Sequence, residues 1–231
     1  MQLKKLSMLV ACFMVSGFST NSFASEISNY KNRFILGAKI NALGMSSEYD
    51  EDDYKISNNI ELNDGSFSFE LDAKYKIYLG GAEQNSFFVT PEIFYSFGSV
   101  KADDTEWGLG YYNLKITPSY GAKVSVGYEL RNKHAFSVGL GLQNMSYKYK
   151  HDDGINIYSK DDDELAFLFS FDYEYNISEN LVFNAGFTCS YFDFKTPDNV
   201  VLYSAGRYPV AIINQIDNTT ITIGVGLGYR F

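Results

Sequence analysis

The stretch "ITIGVGLGYRF", residues 221–231, alternates apolar side chains with small or polar ones up to a final phenylalanine. A soluble domain usually ends in a few polar residues that nothing holds in place. Apolar residues at every second position are typical of a β-strand with one face in an apolar medium. The stretch therefore predicts a strand that belongs to the fold. Its apolar face consists of Ile221, Ile223, Val225, Leu227, Tyr229 and Phe231.

The same period of two recurs through the chain. It predicts eight strands, at about 33–44, 66–79, 86–99, 107–130, 135–147, 164–176, 180–193 and 219–231. Each is long enough for a tilted strand to cross a bilayer, which takes roughly 9–11 residues. No stretch approaches the eighteen apolar residues of a transmembrane helix. Pro91 and Pro118 lie inside strand patterns, and each requires a bulge or a position at the rim because proline cannot donate to the ladder.

The connections between these strands differ in length. "GGAEQN", "LRNKH" and "NISEN" are short, whereas the segments 45–65, 100–106, 148–163 and 194–218 are mostly long. Short turns at one end and long loops at the other are typical of outer-membrane barrels. The long-loop end also carries the charge imbalance, which is −11 after Lys4 and Lys5 are removed from the total of −9. We therefore predict an all-β, eight-stranded antiparallel up-and-down transmembrane barrel with short periplasmic turns and long extracellular loops, its last strand pairing with "RFILGAKINALG".

The "GVGLGYRF" ending and the "NISENLVF" turn and strand resemble the small eight-stranded outer-membrane surface proteins of the OmpX and opacity-protein type, with an outer-membrane protein β-barrel domain. In that family the final aromatic positions form an assembly signal, which falls here on Phe231 and Tyr229. The resemblance implies a surface adhesin inserted by the outer-membrane barrel assembly machinery. It covers the barrel plan of residues 25–231.

The first residues predict a signal peptide over 1–24. Lys4 and Lys5 precede an apolar run, Leu6 to Phe18, and Ser22-Phe23-Ala24 has a small-x-small cleavage pattern. A lipobox ending at Cys12 is the alternative, but the apolar run continues past it. We expect residues 25–231 to form one barrel domain with no further domain after it. The expected location is the bacterial outer membrane.

Charged residues also lie on the polar faces of the predicted strands. The interior of an eight-stranded barrel is just wide enough for side chains to fill, so these charges should pair across the lumen. A proton or ion path is the alternative interpretation. The predicted lumen charge network consists of Lys39, Glu70, Asp72, Lys74, Lys76, Glu92, Lys115, Lys123, Glu129, Asp172, Glu174 and Arg230.

Candidate catalytic and metal-binding residues are few. His134 lies in a short turn, and His151 lies in an outer loop across which it could pair with Ser159. Neither histidine lies on a strand face with a serine at suitable spacing, so we predict no catalytic residues and no enzyme. The acidic runs 49–53 and 160–164 lack the spacing of an EF-hand. We interpret them as solvated loops, with divalent ions bridging them to lipopolysaccharide as the alternative. We predict no cofactor and no resident metal.

The segment 194–218 is nearly neutral and apolar, unlike the other long loops. Apolar surface of this kind often marks a contact site, although a plug or plain strand extension is also compatible with it. The predicted ligand contacts are Tyr203, Arg207, Tyr208 and Ile212. We expect a monomeric surface protein, surrounded by outer-membrane lipid and lipopolysaccharide, that binds a host or other extracellular ligand. The acidic composition argues against nucleic acid. A narrow channel and a lipid-modifying enzyme are the alternative functions.

Overall fold

A computed structural model describes residues 33–51, 62–79, 85–106, 110–131, 133–152, 154, 156–203 and 209–231 of the chain. These residues belong to one compact unit, Arg33–Phe231. The predicted signal peptide lies outside the described residues. No helix in the described part is long and apolar enough to cross a membrane. The strands are β1 (Arg33–Glu51), β2 (Leu62–Leu79), β3 (Asn85–Phe97), β4 (Val100–Glu106), β5 (Gly110–Leu130), β6 (His134–Asp152), β7 (Ile157–Asn176), β8 (Leu181–Tyr203) and β9 (Pro209–Arg230).

The strands close into an antiparallel barrel. Strand β9 pairs with β1 from Ile35↔Arg230 upward, and β3 pairs with β5 on the opposite side of the ring. Strands β3 and β4 are two parts of one barrel strand, so the ring β1–β2–β3–β5–β6–β7–β8–β9 has eight members. The prediction of an eight-stranded up-and-down barrel, closed between its first and last strands, is confirmed.

Gly98 lies at the break between β3 and β4. Its φ of 139° is in the region that side chains rarely adopt, and a Cβ there would lie 2.7 Å from Cβ of Ser68. Glycine tolerates both conditions because it has no side chain. The chain bends here, and β4 continues along the upper part of β5 from Val100↔Ile116 to Glu106↔Gly110.

We call the half of the barrel that carries the short turns the lower barrel. A band of apolar side chains covers its outside. Phe67 is 79% exposed and Ile223 is 59% exposed, and the residues between outward positions face the lumen. Exposed aromatic and aliphatic groups on every strand would be unfavourable in water and are typical of a barrel surrounded by lipid. The alternation read from the sequence therefore has its apolar face outside, as in a transmembrane barrel.

The strands continue well past this band, and this corrects the predicted loops. Strands β1, β2 and β5 to β9 contain 18 to 23 residues each. Most of 45–65, 148–163 and 194–218 is strand, and 100–106 is β4. We call the continued part the extension. It comprises 45–51, 62–66, 100–106, 110–118, 144–152, 157–164, 192–203 and 209–219.

Polarity reverses in the extension. Tyr147 and Tyr149 face inward and are buried, whereas the alternating Lys148 and Lys150 are exposed. The inward side chains form an apolar cluster inside the extension and at its base. Its members are Leu43, Met45, Val100, Leu114, Ile116, Met145, Tyr147, Tyr149, Ala166, Phe192, Phe194 and Ile216. The extension thus has the apolar interior and polar exterior of a protein in water, and the reversal marks where the surrounding medium changes.

The extension is built as two sheets rather than one continuous wall. The β7–β8 ladder stops at Phe167↔Tyr191, and the β2–β3 ladder stops at Phe69↔Phe97. Beyond these pairs, ladders join β4–β5–β6–β7 on one side and β8–β9–β1–β2 on the other, and we treat the two groups as separate sheets. The rings of Tyr147 and Phe194, one from each sheet, stack at 3.9 Å. The apolar cluster therefore holds the two sheets face to face, as in a β-sandwich.

The two prolines are accommodated differently. Pro118 lies at a β-bulge, because β5 advances from Pro118 to Gly121 while β6 advances only from Met145 to Gln143. Pro91 pairs with Val124 of β5 without a register shift. On its other side the β2–β3 pairs skip from Lys74↔Glu92 to Ile77↔Val89 in an unchanged register. A local gap in that ladder, rather than a bulge or a rim position, thus accommodates the missing donor of Pro91.

Replacing Gly98 by alanine should destabilise the barrel by about 1–3 kcal/mol, because the new Cβ combines an unfavourable φ with a close contact to Ser68. Gly65→Ala is the matched control, since a Cβ at Gly65 meets only the carbonyl oxygen of Leu43 at 3.7 Å. Urea unfolding in lipid vesicles, followed by circular dichroism, measures both variants. Equal stability of the two would contradict a strained break at residue 98.

Candidate functional site

The lumen of the lower barrel contains a layer of ion pairs near the short-turn end. The ammonium of Lys76 is fully buried and lies 2.5 Å from Glu174 and 3.3 Å from Glu129. Lys74 approaches the other oxygen of Glu174 at 2.7 Å. The hydroxyl of Tyr78 donates to Glu129 at 2.9 Å. Each carboxylate therefore has at least one cation, which offsets the cost of removing these charges from water.

A second layer of ion pairs lies above the first. Lys39 is 2.8 Å from Glu70, and Lys123 is 2.8 Å from Asp172. Glu92 lies between the two lysines, 3.5 Å from Lys39 and 3.6 Å from Lys123. Lys39–Glu70 and Lys123–Glu92 join adjacent strands. Lys39–Glu92 and Lys123–Asp172 each span one intervening strand, so the layer links β1, β2, β3, β5 and β7.

Glu70, Asp72 and Glu92 are close enough together to be considered as metal ligands. The ammonium of Lys39 lies 2.8 Å, 3.4 Å and 3.5 Å from these three carboxylates. It therefore occupies the position that a bound cation would take. The arrangement fits an internal ion-pair cluster rather than a metal centre.

Two members of the predicted network differ from the rest. Arg230 is buried at the end of β9, but its guanidinium donates to Asn176 at 2.6 Å rather than to a carboxylate. Lys115 does not face the lumen, which is a correction. The extra residue in the bulge between Pro118 and Gly121 exchanges the two faces of β5, so that Leu114 and Ile116 are buried and Lys115 lies outside. Lys123, below the bulge, keeps the inward direction.

Uncharged partners of the network are absent from the sequence prediction. Asn184 accepts from Lys74 at 3.0 Å, and Gln143 accepts from Ser190 at 3.3 Å. Tyr78, which donates to Glu129, is a third uncharged residue of the lumen. All of these positions alternate with outward apolar residues, so the strand pattern was sufficient to find them. They were missed because only charged residues were selected.

The lumen is filled above the ion pairs as well. A cavity of about 20 Å³ lies between the ion pairs and the apolar cluster, lined in part by Glu70, Lys123, Gln143 and Leu168. This volume is close to the minimum that holds one water molecule. The apolar cluster then closes the interior of the extension. In the described residues the lumen contains packed side chains where a channel would contain a continuous water column.

The two histidines lie in different environments. His134 is at the start of β6, where Nδ1 is 2.8 Å from the Tyr173 hydroxyl. His151 is buried inside β6 with its ring stacked on Tyr158, and is not in a loop as predicted. Ser159 is paired with Lys150 and faces the opposite side of the sheet. The proposed pairing of His151 with Ser159 is therefore wrong.

Two of the four predicted ligand contacts, Tyr203 and Ile212, lie on strands β8 and β9. Tyr203 is the last residue of β8, and Ile212 pairs with Val201 within the β8–β9 hairpin. Arg207 and Tyr208 lie outside the described residues. Most of the predicted loop 194–218 is therefore a β8–β9 hairpin. This corresponds to plain strand extension, one of the three interpretations of this segment from the sequence.

The acidic runs are also mostly strand. Residues 49–51 belong to β1, and 160–164 belong to β7. Burial and the neighbouring Asp162 raise the pKa of Glu164. The side chain of Lys160 extends across the β7–β8 junction and donates to the carbonyl of Lys195 at 2.8 Å. Residues 160–164 therefore line the edge of a sheet, and the interpretation as a solvated loop is corrected.

The end of the chain is fixed in the barrel. The Phe231 amide donates to the carbonyl of Phe34 at 3.0 Å, and the Arg230 amide donates to Asn180 at 2.8 Å. The Tyr229 and Phe231 side chains are exposed on the outer apolar band. Cys189 is a free, half-buried cysteine on β8. It lies two residues from each of the outward Phe187 and Tyr191, so it shares their outward face.

Comparison with known proteins gives a family and a set of similar structures. The family model described as "Protein of unknown function, DUF481" matches residues 38–196. No curated protein sequence matches the chain.

The solved structures that match the chain include three outer-membrane or attachment proteins. Ail, the attachment invasion locus protein of Yersinia pestis, is 16% identical, with 84% of this chain and 98% of Ail covered at a TM-score of 0.39. The outer membrane protease OmpT of Escherichia coli is 11% identical, with coverages of 87% and 97% and a TM-score of 0.45. The outer membrane protein OprG of Pseudomonas aeruginosa is 14% identical, with coverages of 87% and 96% and a TM-score of 0.49.

Replacing Lys76 by methionine should destabilise the barrel by about 3–5 kcal/mol, because it leaves Glu129 buried without a cation. Lys133→Met, at an exposed turn position, loses only the contact of its ammonium with the Tyr175 ring and should change the free energy of unfolding by no more than about 1 kcal/mol. The double variant Lys76→Met/Glu129→Gln should recover part of the lost stability, since it also removes the charge of the buried Glu129 carboxylate. Urea unfolding in lipid vesicles gives the free energy of unfolding of the two single variants and of the double variant. A Lys76→Met barrel as stable as the Lys133 control would show that the network contributes little.

Proposed function

This chain belongs to the DUF481 family, and we propose that it is a surface protein of the bacterial outer membrane that binds an extracellular partner through the tips of its extension. The observation that carries the proposal is the filled interior. Ion pairs, a cavity of about 20 Å³ and an apolar cluster succeed one another along the axis. Solute passage would require all three layers to rearrange, so the outer surface is where the barrel can act.

The outer-membrane location is supported by the exposed apolar band and by the closed ladder. In lipid every backbone donor and acceptor needs an internal partner, and a closed barrel supplies one. The extension then stands on the side of the membrane away from the short turns. In outer-membrane barrels the longer connections are extracellular. The same orientation leaves the short-turn end in the periplasm.

The form of the extension supports a binding role. Its two sheets are joined by a core that includes the stacked Tyr147 and Phe194 rings, so the hairpin tips are carried on a packed support. The β8–β9 hairpin runs on to Tyr203 and Pro209. The segment between them, residues 204–208, reads "SAGRY" and contains an arginine and a tyrosine. These residue types contribute strongly to binding at protein interfaces.

Trypsin treatment of intact cells tests the orientation. We expect cleavage after Lys55 and Arg207 and no cleavage after Arg131 or Lys133 until the outer membrane is permeabilised. The four sites lie in or beside connections between strands, so trypsin distinguishes the two ends of the barrel. Mass spectrometry identifies the released peptides. Cleavage after Arg131 or Lys133 in intact cells would reverse the proposed topology.

Exchange of the β8–β9 tip tests the binding role. Replacing 204–208 by a Gly-Ser segment of equal length should lower the adherence of expressing bacteria to epithelial monolayers by about tenfold, as expected when hot-spot side chains are removed. The same replacement of 153–156, in the β6–β7 connection, is the matched control. Unchanged adherence with the first exchange, at equal surface amounts, would contradict the role of these residues.

Planar-bilayer recording of the purified wild-type barrel separates the proposal from the channel alternative. A filled lumen should give no ion conductance above the baseline. Steady conductance that changes on substitution of Lys76 or Glu92 would support a channel through the network and overturn the proposal.

A further inference from the structure

Three lysines lie directly opposite one another on the outside of the extension. Lys101 of β4 pairs with Lys115 of β5, and Lys115 pairs with Lys148 of β6. We call Lys101, Lys115 and Lys148 the lysine row. Lys150 lies two positions beyond Lys148 on β6 and on the same face, because the buried Tyr149 lies between them.

Lys115 belongs to the row only because of the bulge at Pro118–Gly121. Without the extra residue, Lys115 would have the same inward direction as Lys123. A bulge commonly re-aims a side chain in this way. Like charges placed directly opposite one another on a sheet are destabilising. The row therefore lowers the stability of the free barrel unless an anion lies over it.

Carboxylates on this face compensate only the two ends of the row. Asp103 is 2.7 Å from Lys101, and Asp161 is 2.5 Å from Lys148. Of the other two outward carboxylates, Asp163 accepts from Ser146 and Asp152 accepts from the amide of Gly154. Within the described chain, no carboxylate lies within ion-pair distance of Lys115 or Lys150. Two ammonium groups on neighbouring strands are thus left for an outside anion.

The height of the row indicates the source of that anion. On β6 the last outward apolar residue is Leu142, but on β7 the outward Leu165 reaches the level of Asn144. Lys148 lies four residues above that level, about 13 Å along a strand and roughly 9 Å along the axis of a tilted barrel. The headgroup region of a bilayer adds only about 5–7 Å to the hydrocarbon on each side. A phospholipid phosphate therefore lies too low, whereas phosphates on the sugar core of an outer-leaflet glycolipid lie at this level.

We propose that Lys115 and Lys150, with the lysine row around them, bind the phosphorylated sugar core of the lipopolysaccharide that surrounds the barrel. The two lysines are diagonal neighbours on β5 and β6, where Cβ atoms are about 7–8 Å apart. Two flexible ammonium groups at this spacing can contact one phosphate together. The proposal rests on the outer-membrane location proposed above and requires no extracellular partner.

Titration of the purified barrel in detergent with lipopolysaccharide tests the site. Each lysine near an anionic lipid surface contributes about a fivefold gain in affinity, so Lys115→Gln/Lys150→Gln should bind about 25-fold more weakly than wild type. Lys133→Gln at the short-turn end is the matched control and should bind as wild type does. The same titration with chemically dephosphorylated lipopolysaccharide should show weak binding by all three proteins.

Thermal unfolding provides a second measurement that does not depend on the affinity alone. Without glycolipid the double variant should unfold at the wild-type temperature or above it, because a like-charge contact has been removed. Added lipopolysaccharide should raise the unfolding temperature of the wild type and of Lys133→Gln, and raise that of the double variant much less.

Three results would overturn the proposal. These are wild-type affinity in the double variant, equal binding of dephosphorylated lipopolysaccharide, and equally tight binding of a soluble sulfated polysaccharide, which would make the occupant a free polyanion. Membrane fractionation of the wild type is run in parallel. Absence from the outer membrane would remove the proposed location, whereas correct location without phosphate-dependent binding would remove only the lysine site.

Discussion

The structure depends first on the pairing of the last strand with the first. Backbone groups in lipid have no water to bond with, so a sheet surrounded by lipid must have no free edge. The ladder from Ile35↔Arg230 upward supplies that closure, and the bond from the Phe231 amide to the Phe34 carbonyl extends it to the last residue. This explains why the final residues keep a strict alternation. A polar or frayed ending would leave β1 unpaired.

Closure with eight strands then determines what the interior can hold. A ring of this size leaves room for side chains and little else. The lower interior is filled by pairs such as Lys76–Glu174 and Lys123–Asp172, and the extension is filled by apolar groups. Both kinds of side chain fill a narrow lumen, and which kind lies inside depends on the medium that surrounds the strands. Where lipid takes the apolar side chains outside, the polar ones turn inward. Where water surrounds the strands, the two faces exchange roles.

This exchange explains how much the sequence could predict. The period of two located every barrel strand and the closing pair, because it does not depend on the medium. The period alone could not say which face is inside, and the polar outer residues of 148–152 made the upper end of strand β6 look like a loop. The face occupied by Lys115 depends on one extra residue at Pro118–Gly121, and a register shift of this kind leaves no periodic signal. The charges at lumen positions such as Lys39 and Glu92 could be selected from the pattern, but their partners could not, since pairing across the ring depends on strand order and stagger.

The two-sheet form of the extension also changes the meaning of the acidic run 160–164. The β7–β8 ladder ends at Phe167↔Tyr191, so the part of β7 above it has a free edge in water. An exposed edge can pair with another chain, and natural proteins oppose this with charged side chains on the edge strand. Lys160, Asp162 and Glu164 have the inward parity of β7 at this edge, and Lys160 bonds across it to Lys195. The run 160–164, which the sequence indicated to be a solvated loop, is therefore better explained by edge protection. A barrel that divides into two sheets above the membrane acquires edges that the closed ring does not have.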